Sequence, residues 1–134
     1  MNSKEKNTEA AKRFKGFCYD YDKYRPKPPK EIFEIGIKLS QKEKPDLVVD
    51  LGSGSGLSTR PWGNYAEKVI GIEPSDDMLA VSKSEKSTNK VDYLKGTGEK
   101  TGLNNDSADI VSASSAIHWM EPFSTVKEIS RILK

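Results

Sequence analysis

Four short apolar runs, each followed by a polar or glycine-rich turn, predict the strands of a sheet in this chain. The runs are Asp46–Leu51, Lys68–Ile72, Val91–Lys95 and Ala108–Ala113. The first run is almost continuously apolar from Leu47 to Leu51, which is typical of a parallel strand that is covered on both faces. The pattern therefore favours an α/β fold in which helices cover a mostly parallel sheet.

Helix-start signals and helical spacing predict helices around these strands. They run from Thr8 to about Phe17, from Pro28 to about Gln41, from Ser55 to about Asn64, from Ser75 to about Lys86, and from Pro122 to the end of the chain. Pro61 lies past the first turn of the third helix, which we therefore expect to be short or kinked. The side chains expected at helical spacing on the inner faces are Ile32, either Ile35 or Phe33, and Leu39 in the second helix, and Phe123, Val126, Ile129 and Leu133 in the last.

Composition narrows the classes of function. The 134 residues favour one domain, and 22 basic against 20 acidic side chains give a net charge of +2, so no nucleic-acid partner is expected. A local basic patch of Lys23, Arg25, Lys27 and Lys30 is interpreted as a solvated face rather than a phosphate track. Cys18 is the only cysteine, so no internal disulfide is possible. With no apolar span of membrane length and no signal peptide, we expect a cytoplasmic protein with no membrane partner, and we predict no metal site.

A glycine-rich turn follows the first strand directly. Gly52, Gly54 and Gly56 stand at alternate positions, where the absence of a Cβ lets the backbone turn tightly and approach a ligand, and Asp50 precedes them. The dinucleotide fingerprint G-x-G-x-x-G would need a glycine where this chain has Leu57. The alternative is a flexible surface turn, but the apolar strand before it favours a ligand-binding loop.

A second carboxylate stands where a ribose is held in nucleoside-binding folds. Glu73 ends the second strand about 20 residues beyond the glycine turn, a position from which a carboxylate accepts hydrogen bonds from ribose hydroxyls. Ser75 can cap the following helix, and Asp76 and Asp77 suit its first turn. The ligand is therefore expected outside the carboxyl ends of the strands.

The run Asp50-x-Gly52-x-Gly54-x-Gly56 resembles the nucleoside-binding loop of class I S-adenosylmethionine-dependent methyltransferases, in particular the type 11-like enzymes that act on small molecules. Four further stretches resemble this family in the same order along the chain. They are Tyr21-x-x-Tyr24-Arg25-Pro26, Glu73-Pro74-Ser75 with Met78, Gly96-Thr97-Gly98-Glu99, and Ser112 to His118-Trp119. The resemblance implies a three-layer Rossmann-like fold, S-adenosylmethionine as cofactor, S-adenosylhomocysteine as product, and methyl transfer to a small-molecule acceptor.

The resemblance also implies roles for individual residues. The cofactor-binding residues would be Asp50, Gly52, Ser53, Gly54 and Gly56 near the methionine portion, Tyr21, Tyr24 and Arg25 above it, Glu73 and Pro74 at the ribose, Met78, Thr97 and Gly98 at the adenine, and Ser114 after the fourth strand. Asp50 would position the methionine ammonium and Arg25 its carboxylate. His118, the only histidine, is the candidate catalytic base.

Several of these roles have structural alternatives. Met78 is equally expected to pack in the core, and the tyrosine-rich segment before Pro26 can be a surface loop. For His118 we favour a hydrogen bond to the backbone that holds Trp119 in place. Thr97 stands where many family members carry an adenine-binding aspartate, and its hydroxyl is a weaker substitute.

The sheet of this family has seven strands in the order 3-2-1-4-5-7-6, of which this sequence supplies strands 1 to 4. We therefore expect a helix and lid segment over residues 1–26 and an incomplete cofactor-binding core over residues 27–134. The fourth strand would be an open edge, able to pair with a second copy in a homodimer. Two rival functions stay open: a non-catalytic cofactor- or partner-binding fragment, and an NAD-type Rossmann oxidoreductase. The sequence does not identify the methyl acceptor.

Overall fold

The computed structural model describes residues 24–85, 88–114 and 116–134. In chain order the elements are α1 Lys30–Ser40, β1 Leu47–Leu51, a 3₁₀ helix Arg60–Asn64, β2 Lys68–Glu73, α2 Asp76–Ser84, β3 Val91–Lys95, β4 Ile110–Ser112, a 3₁₀ helix Ile117–Trp119 and α3 Pro122–Ile132. The predicted helix near Thr8 and most of the predicted lid segment lie outside the described residues. The helix predicted from Ser55 is wrong at its start: a short 3₁₀ helix begins at Arg60 and ends at Asn64, so Pro61 lies in its first turn, where proline is tolerated.

The four strands form one parallel sheet in the order β3-β2-β1-β4. Val48 lies beside Ile110 on one side and Val69 on the other, and Val69 in turn lies beside Val91. This row of β-branched side chains crosses the whole sheet on one face and suits a pleated, buried surface. The topology confirms the predicted α/β fold with a partial, parallel sheet.

One face of the sheet is covered by α1 and by the 3₁₀ helix Arg60–Asn64. Phe33 and Trp62 meet edge to face with ring centroids 4.9 Å apart, and Phe33 stacks on Tyr65 at 5.8 Å. A Cβ at Gly36 would lie 2.7 Å from the Trp62 ring. The glycine therefore allows α1 to lie directly against this aromatic cluster.

The predicted inner face of α1 is confirmed at the position given as either Ile35 or Phe33, where Phe33 is buried, but it is wrong for Ile32 and Leu39. Phe33 is 3% exposed, but Ile32, Ile35 and Leu39 are 53%, 57% and 79% exposed. The helix has two adjacent apolar stripes, and the one that contains Phe33 and Ile37 meets the sheet. The close packing of Gly36 on Trp62 favours this stripe. Because Trp62 lies outside the helix, the sequence of α1 alone does not predict that contact.

The opposite face of the sheet is covered by α3. Ile129 packs on this face, but Phe123 and Val126 are 87% and 58% exposed, so the stripe expected at their spacing is wrong for these two residues. Glu128 takes a buried position instead and pairs with Arg131. A pattern of apolar residues does not predict the burial of a carboxylate that has an ion-pair partner, which explains the error.

The strand β4 is shorter than predicted and lies at one side of the described sheet. It spans Ile110–Ser112, while Ala108 forms an isolated parallel bridge with Leu133. Among the described residues, β1 is the one strand that pairs with β4. A groove beside β4 is lined in part by the exposed apolar side chains of α1. No helix in the described ranges is long and apolar enough to cross a membrane.

Candidate functional site

The glycine turn after β1 has a backbone that glycine adopts without strain. Gly52, Gly54 and Gly56 have φ angles of 64°, 57° and 93°. A Cβ at Gly56 would collide with the Tyr93 hydroxyl, so the loop packs directly on β3 at this point. A Cβ at Gly54 would meet no atom within 4 Å. The middle of the loop therefore faces open space, where a ligand can approach its backbone.

Glu73 joins the end of β2 to this loop. Its Oε1 accepts a hydrogen bond from the Gly54 N–H at 2.9 Å, and its Oε2 accepts one from the Ser75 N–H at 2.8 Å. Burial raises the pKa of the Glu73 carboxyl, and the two N–H donors oppose part of that rise. Because a carboxylate offers about four lone-pair positions, two remain for hydroxyl groups of a ligand.

Asp50 is held by three hydroxyl groups. Its Oδ2 accepts hydrogen bonds from the Ser58 Oγ at 3.0 Å and the Thr59 Oγ1 at 2.7 Å, and its Oδ1 accepts one from the Ser112 Oγ at 2.8 Å. Burial raises the pKa of the Asp50 carboxyl, and these three hydrogen bonds counteract the rise. The sequence motifs predict no role in the site for any of the three hydroxyl residues.

The register of the sheet places Asp50 in a row of laterally paired residues. This row is more polar than the apolar row that lies two residues earlier along the strands. Asp50 lies beside Ser112 on β4 and Gly71 on β2, and Gly71 lies beside Tyr93 on β3. A Cβ at Gly71 would lie 2.7 Å from the Ser53 Oγ, so this glycine leaves room for the loop above it. The sequence signal for this row is a polar or small residue near the end of several strands. It can be recognised once the register is known.

A cavity of about 330 Å³ opens above the glycine loop. It is lined by the loop from Gly52 to Ser55, by Ser114 after β4, and by the segment that contains Arg25 and Lys27. The loop is hydrogen-bonded to the buried carboxylate of Glu73 on its inner side, whereas Arg25 and Lys27 line the cavity on the outer side. This distribution of charge suits a zwitterionic ligand whose anionic group faces the cations.

The residues predicted to contact adenine have separate surroundings. Met78 is 1% exposed, and its burial agrees with the core-packing alternative. The Thr97 Oγ1 accepts a hydrogen bond from the Lys100 N–H at 3.1 Å, which stabilises the turn after β3. Gly98 is buried against Met120. The contacts of Thr97 and Gly98 with a ligand stay predictions.

The residues predicted at the mouth of the site are only partly described. Arg25 lines the cavity, Tyr24 beside it is 75% exposed, and Tyr21 lies outside the described residues. His118 is exposed, and its ring centroid lies 4.8 Å from that of Trp119. The structure therefore brings Arg25 to the glycine loop, while the catalytic role of His118 stays a prediction.

A family model described as a methyltransferase domain matches residues 49–134, which is more than half of the chain. The chain belongs to this methyltransferase domain family. The match begins within β1 and includes the glycine loop, Glu73 and the whole of α3. The family resemblance stated from the sequence is therefore confirmed.

Relatives of this methyltransferase domain are longer than the chain. A Dictyostelium discoideum protein named as a methyltransferase is 32% identical over 91% of this chain and 45% of its own length. The Saccharomyces cerevisiae protein named "Probable S-adenosylmethionine-dependent methyltransferase CRG1" is 29% identical over 85% of this chain and 40% of its own. The crystal structure of YcgJ from Bacillus subtilis is similar with a TM-score of 0.69 at 27% identity, over 79% of this chain and 47% of that chain. The chain thus spans less than half the length of these relatives.

Proposed function

We propose that this methyltransferase domain binds S-adenosylmethionine and takes part in methyl transfer to a small-molecule acceptor, with S-adenosylhomocysteine as the product. The observation that carries the proposal is the 2.9 Å hydrogen bond from the Gly54 N–H to the Glu73 Oε1. This hydrogen bond joins a loop whose backbone is accessible to a ligand to an acid that is suited to bind a ribose. Both lie at the carboxyl ends of adjacent parallel strands, where α/β folds bind nucleosides. The name of the yeast relative supports the choice of cofactor.

The residues of the site fit the parts of this cofactor. Glu73 accepts hydrogen bonds from the ribose hydroxyls through its remaining lone pairs. The amides around Gly54 approach the methionine portion, whose carboxylate pairs with Arg25 on the cavity wall. Asp50 attracts the methionine ammonium, directly or through water, and the Tyr24 ring faces the sulfonium.

The chemistry that the protein must supply is mainly alignment. The sulfonium group of the cofactor already activates its methyl group, so the chain has to hold that group in line with a nucleophile. Proximity and alignment of this kind contribute about 7–11 kcal/mol to lowering a barrier. An oxygen or nitrogen acceptor that must lose a proton needs a base, and His118 is the candidate for that role.

A thermal-shift and calorimetric titration tests the proposal. S-adenosylmethionine, S-adenosylhomocysteine and NAD are each added to the 134-residue chain. A ligand present at about 100 times its dissociation constant stabilises a folded protein by about 2.7 kcal/mol. We expect a shift with both adenosyl ligands and none with NAD.

The other outcomes identify the rival functions. A shift with NAD alone would favour the oxidoreductase. No shift with any ligand would contradict the proposal for this chain and favour a non-catalytic fragment that needs the rest of a longer protein. That rival has a specific basis, because the chain covers 45% and 40% of the two curated relatives.

A further inference from the structure

The three hydroxyls around Asp50 come from two parts of the fold that are distant in sequence. Ser58 and Thr59 lie in the turn that follows the glycine loop, whereas Ser112 is the last residue of β4. Asp50 lies between them on β1 and is 1% exposed. The carboxylate is therefore the point at which the loop, β1 and β4 are tied together.

The surroundings of Asp50 within the described ranges supply hydroxyls but no cation. The groups that act to lower its pKa are the hydroxyls of Thr59, Ser112 and Ser58. On the neighbouring strand, the Glu73 carboxyl has its pKa raised in part by Asp50, so the charged group that interacts with Asp50 there is of the same sign. On the outer side, Arg25 and the adjoining segment line the cavity. A cationic group of a ligand would complete this arrangement.

We propose that Ser58, Thr59 and Ser112 are positioning residues, a hydroxyl cage that holds the Asp50 carboxylate as an anion oriented toward the ammonium group of the bound cofactor. This inference rests on the proposed function, because it takes the cofactor to be S-adenosylmethionine. Three hydrogen bonds from hydroxyl donors favour the charged form of a carboxylate and fix the direction of its oxygens. The cage also links cofactor binding to the end of β4, from which Ser114 reaches the cavity.

The first test needs no cofactor. Carboxyl ¹³C NMR follows the titration of Asp50 in the ligand-free chain and in Ser112→Ala and Thr59→Val, each of which removes one hydroxyl. We expect the titration midpoint of Asp50 to move to higher pH in both variants, because one donor that stabilises the carboxylate anion has been removed. Ser112→Thr and Thr59→Ser keep a hydroxyl and should restore the wild-type midpoint.

A matched control removes a buried hydroxyl elsewhere. Ser82 is fully buried on α2 and donates to the Leu79 carbonyl at 2.8 Å, so Ser82→Ala should leave the Asp50 midpoint unchanged. If Ser112→Ala and Thr59→Val do not fold, Ser58→Ala provides the same test at a half-buried position. Midpoints that coincide with the wild-type value in every folded cage variant would overturn the cage, as would an Asp50 that is neutral at pH 7 in the wild type.

The second test measures the affinity for S-adenosylmethionine by calorimetry from pH 5 to pH 8. We expect Ser112→Ala to bind about tenfold more weakly than the wild type near pH 5, with a smaller difference at pH 8. The reason is that Asp50 of the variant becomes protonated at a higher pH than Asp50 of the wild type. Parallel pH profiles for variant and wild type would reject the positioning role. Absence of binding to the wild type, together with shifted Asp50 midpoints, would instead contradict the proposed function and leave the cage as a purely structural feature.

Discussion

The Glu73 Oε1 accepts a hydrogen bond from the Gly54 N–H at 2.9 Å, so the side chain at the end of β2 fixes the backbone of the loop that follows β1. The other oxygen of the same carboxylate accepts from the Ser75 N–H at the start of α2. One buried carboxylate therefore holds two segments that both border the proposed ribose position. A ligand that enters meets a loop whose shape is already set, which lowers the ordering cost of binding.

We expect Glu73→Gln to weaken S-adenosylmethionine binding more than tenfold. A glutamine has one carbonyl oxygen, so one of the two backbone N–H groups loses its acceptor and the charge-assisted bonds to the ribose are lost, each contributing about 1.5–3 kcal/mol. Calorimetry measures the loss. Glu34→Gln, at an exposed position on α1, is the control. Equal affinities for Glu73→Gln and the wild type would contradict the ribose assignment.

Glu73→Gln should also change how stability depends on pH. Burial raises the pKa of Glu73 in the folded state above its ordinary value of 4.5, so the folded chain binds this proton more tightly than the unfolded chain does. Its contribution to stability is therefore present below about pH 4.5 and is lost as the pH rises through the folded-state pKa. Denaturant melts at several pH values should show a shallower decline for the variant; an unchanged slope would contradict this account.

Asp109, at the amino end of β4, should show the opposite dependence. Its Oδ2 accepts from the Asp46 N–H at 2.7 Å and the Leu47 N–H at 3.1 Å, and its Oδ1 pairs with Lys42 at 2.7 Å and Lys134 at 3.2 Å. Burial acts to raise the pKa of Asp109, but these partners outweigh it and lower the pKa from 3.8 to about 2. The resulting stability is present above pH 3.8 and is lost as the pH falls through about 2.

We therefore expect Asp109→Asn to cost about 1–2 kcal/mol at pH 7, a value reduced for screening because its two lysine partners are each about 40% exposed. The cost should shrink toward pH 2. Urea unfolding of both proteins across this range measures it. Asp92→Asn, which affects a more exposed pair with Lys68 at 3.4 Å, is the control and should change stability little. A cost for Asp109→Asn that stays constant with pH would refute the ion-pair explanation.

Gly56→Ala should destabilise the fold more than Gly102→Ala. Both glycines have positive φ angles, 93° and 79°, so alanine is strained at both. A Cβ at Gly56 would also collide with the Tyr93 hydroxyl, whereas a Cβ at Gly102 meets nothing within 4 Å. Overpacking costs about 1–3 kcal/mol, which is the expected difference between the variants in chemical denaturation. Equal destabilisation would show that the loop moves away from β3 freely.

His118→Ala tests the candidate base. If the acceptor must lose a proton, the variant should turn over about 100-fold or more slowly while it binds S-adenosylmethionine with wild-type affinity. Steady-state rates and calorimetry separate the two effects. Trp119→Phe is the companion variant, because it keeps an aromatic ring beside the histidine. Unchanged turnover in His118→Ala would reject the role of base.

The predicted pairing of two chains through β4 is tested by sedimentation at high concentration. The groove beside β4 includes Ile35 and Leu39, which are 57% and 79% exposed. If a second copy covers this groove, Ile35→Lys with Leu39→Lys should shift the equilibrium toward monomer, because charges would be buried. Phe123→Lys, at an 87% exposed site on α3, is the control. A wild-type chain that stays monomeric at every concentration would eliminate the pairing.

Local sequence patterns were sufficient to predict the sheet, the glycine loop and the acid that contacts it. The apolar runs located four strands, and the glycine spacing with Glu73 located the loop and its acid about 20 residues apart in sequence. These features are local: a buried strand needs consecutive apolar residues, and a turn with φ angles between 57° and 93° needs glycine. Such requirements leave a mark on the sequence at the position where they act.

The buried faces of the helices and the surroundings of Asp50 depend instead on tertiary contacts. With Gly36 packed against Trp62, α1 is oriented so that Phe33 is buried. The parallel register of β1 and β4 places Ser112 beside Asp50. Both are contacts between residues far apart in sequence, and helical spacing alone fits more than one rotation of a helix with two apolar stripes. The partners of a residue across a sheet depend on register, which is a property of the assembled strands rather than of any one of them.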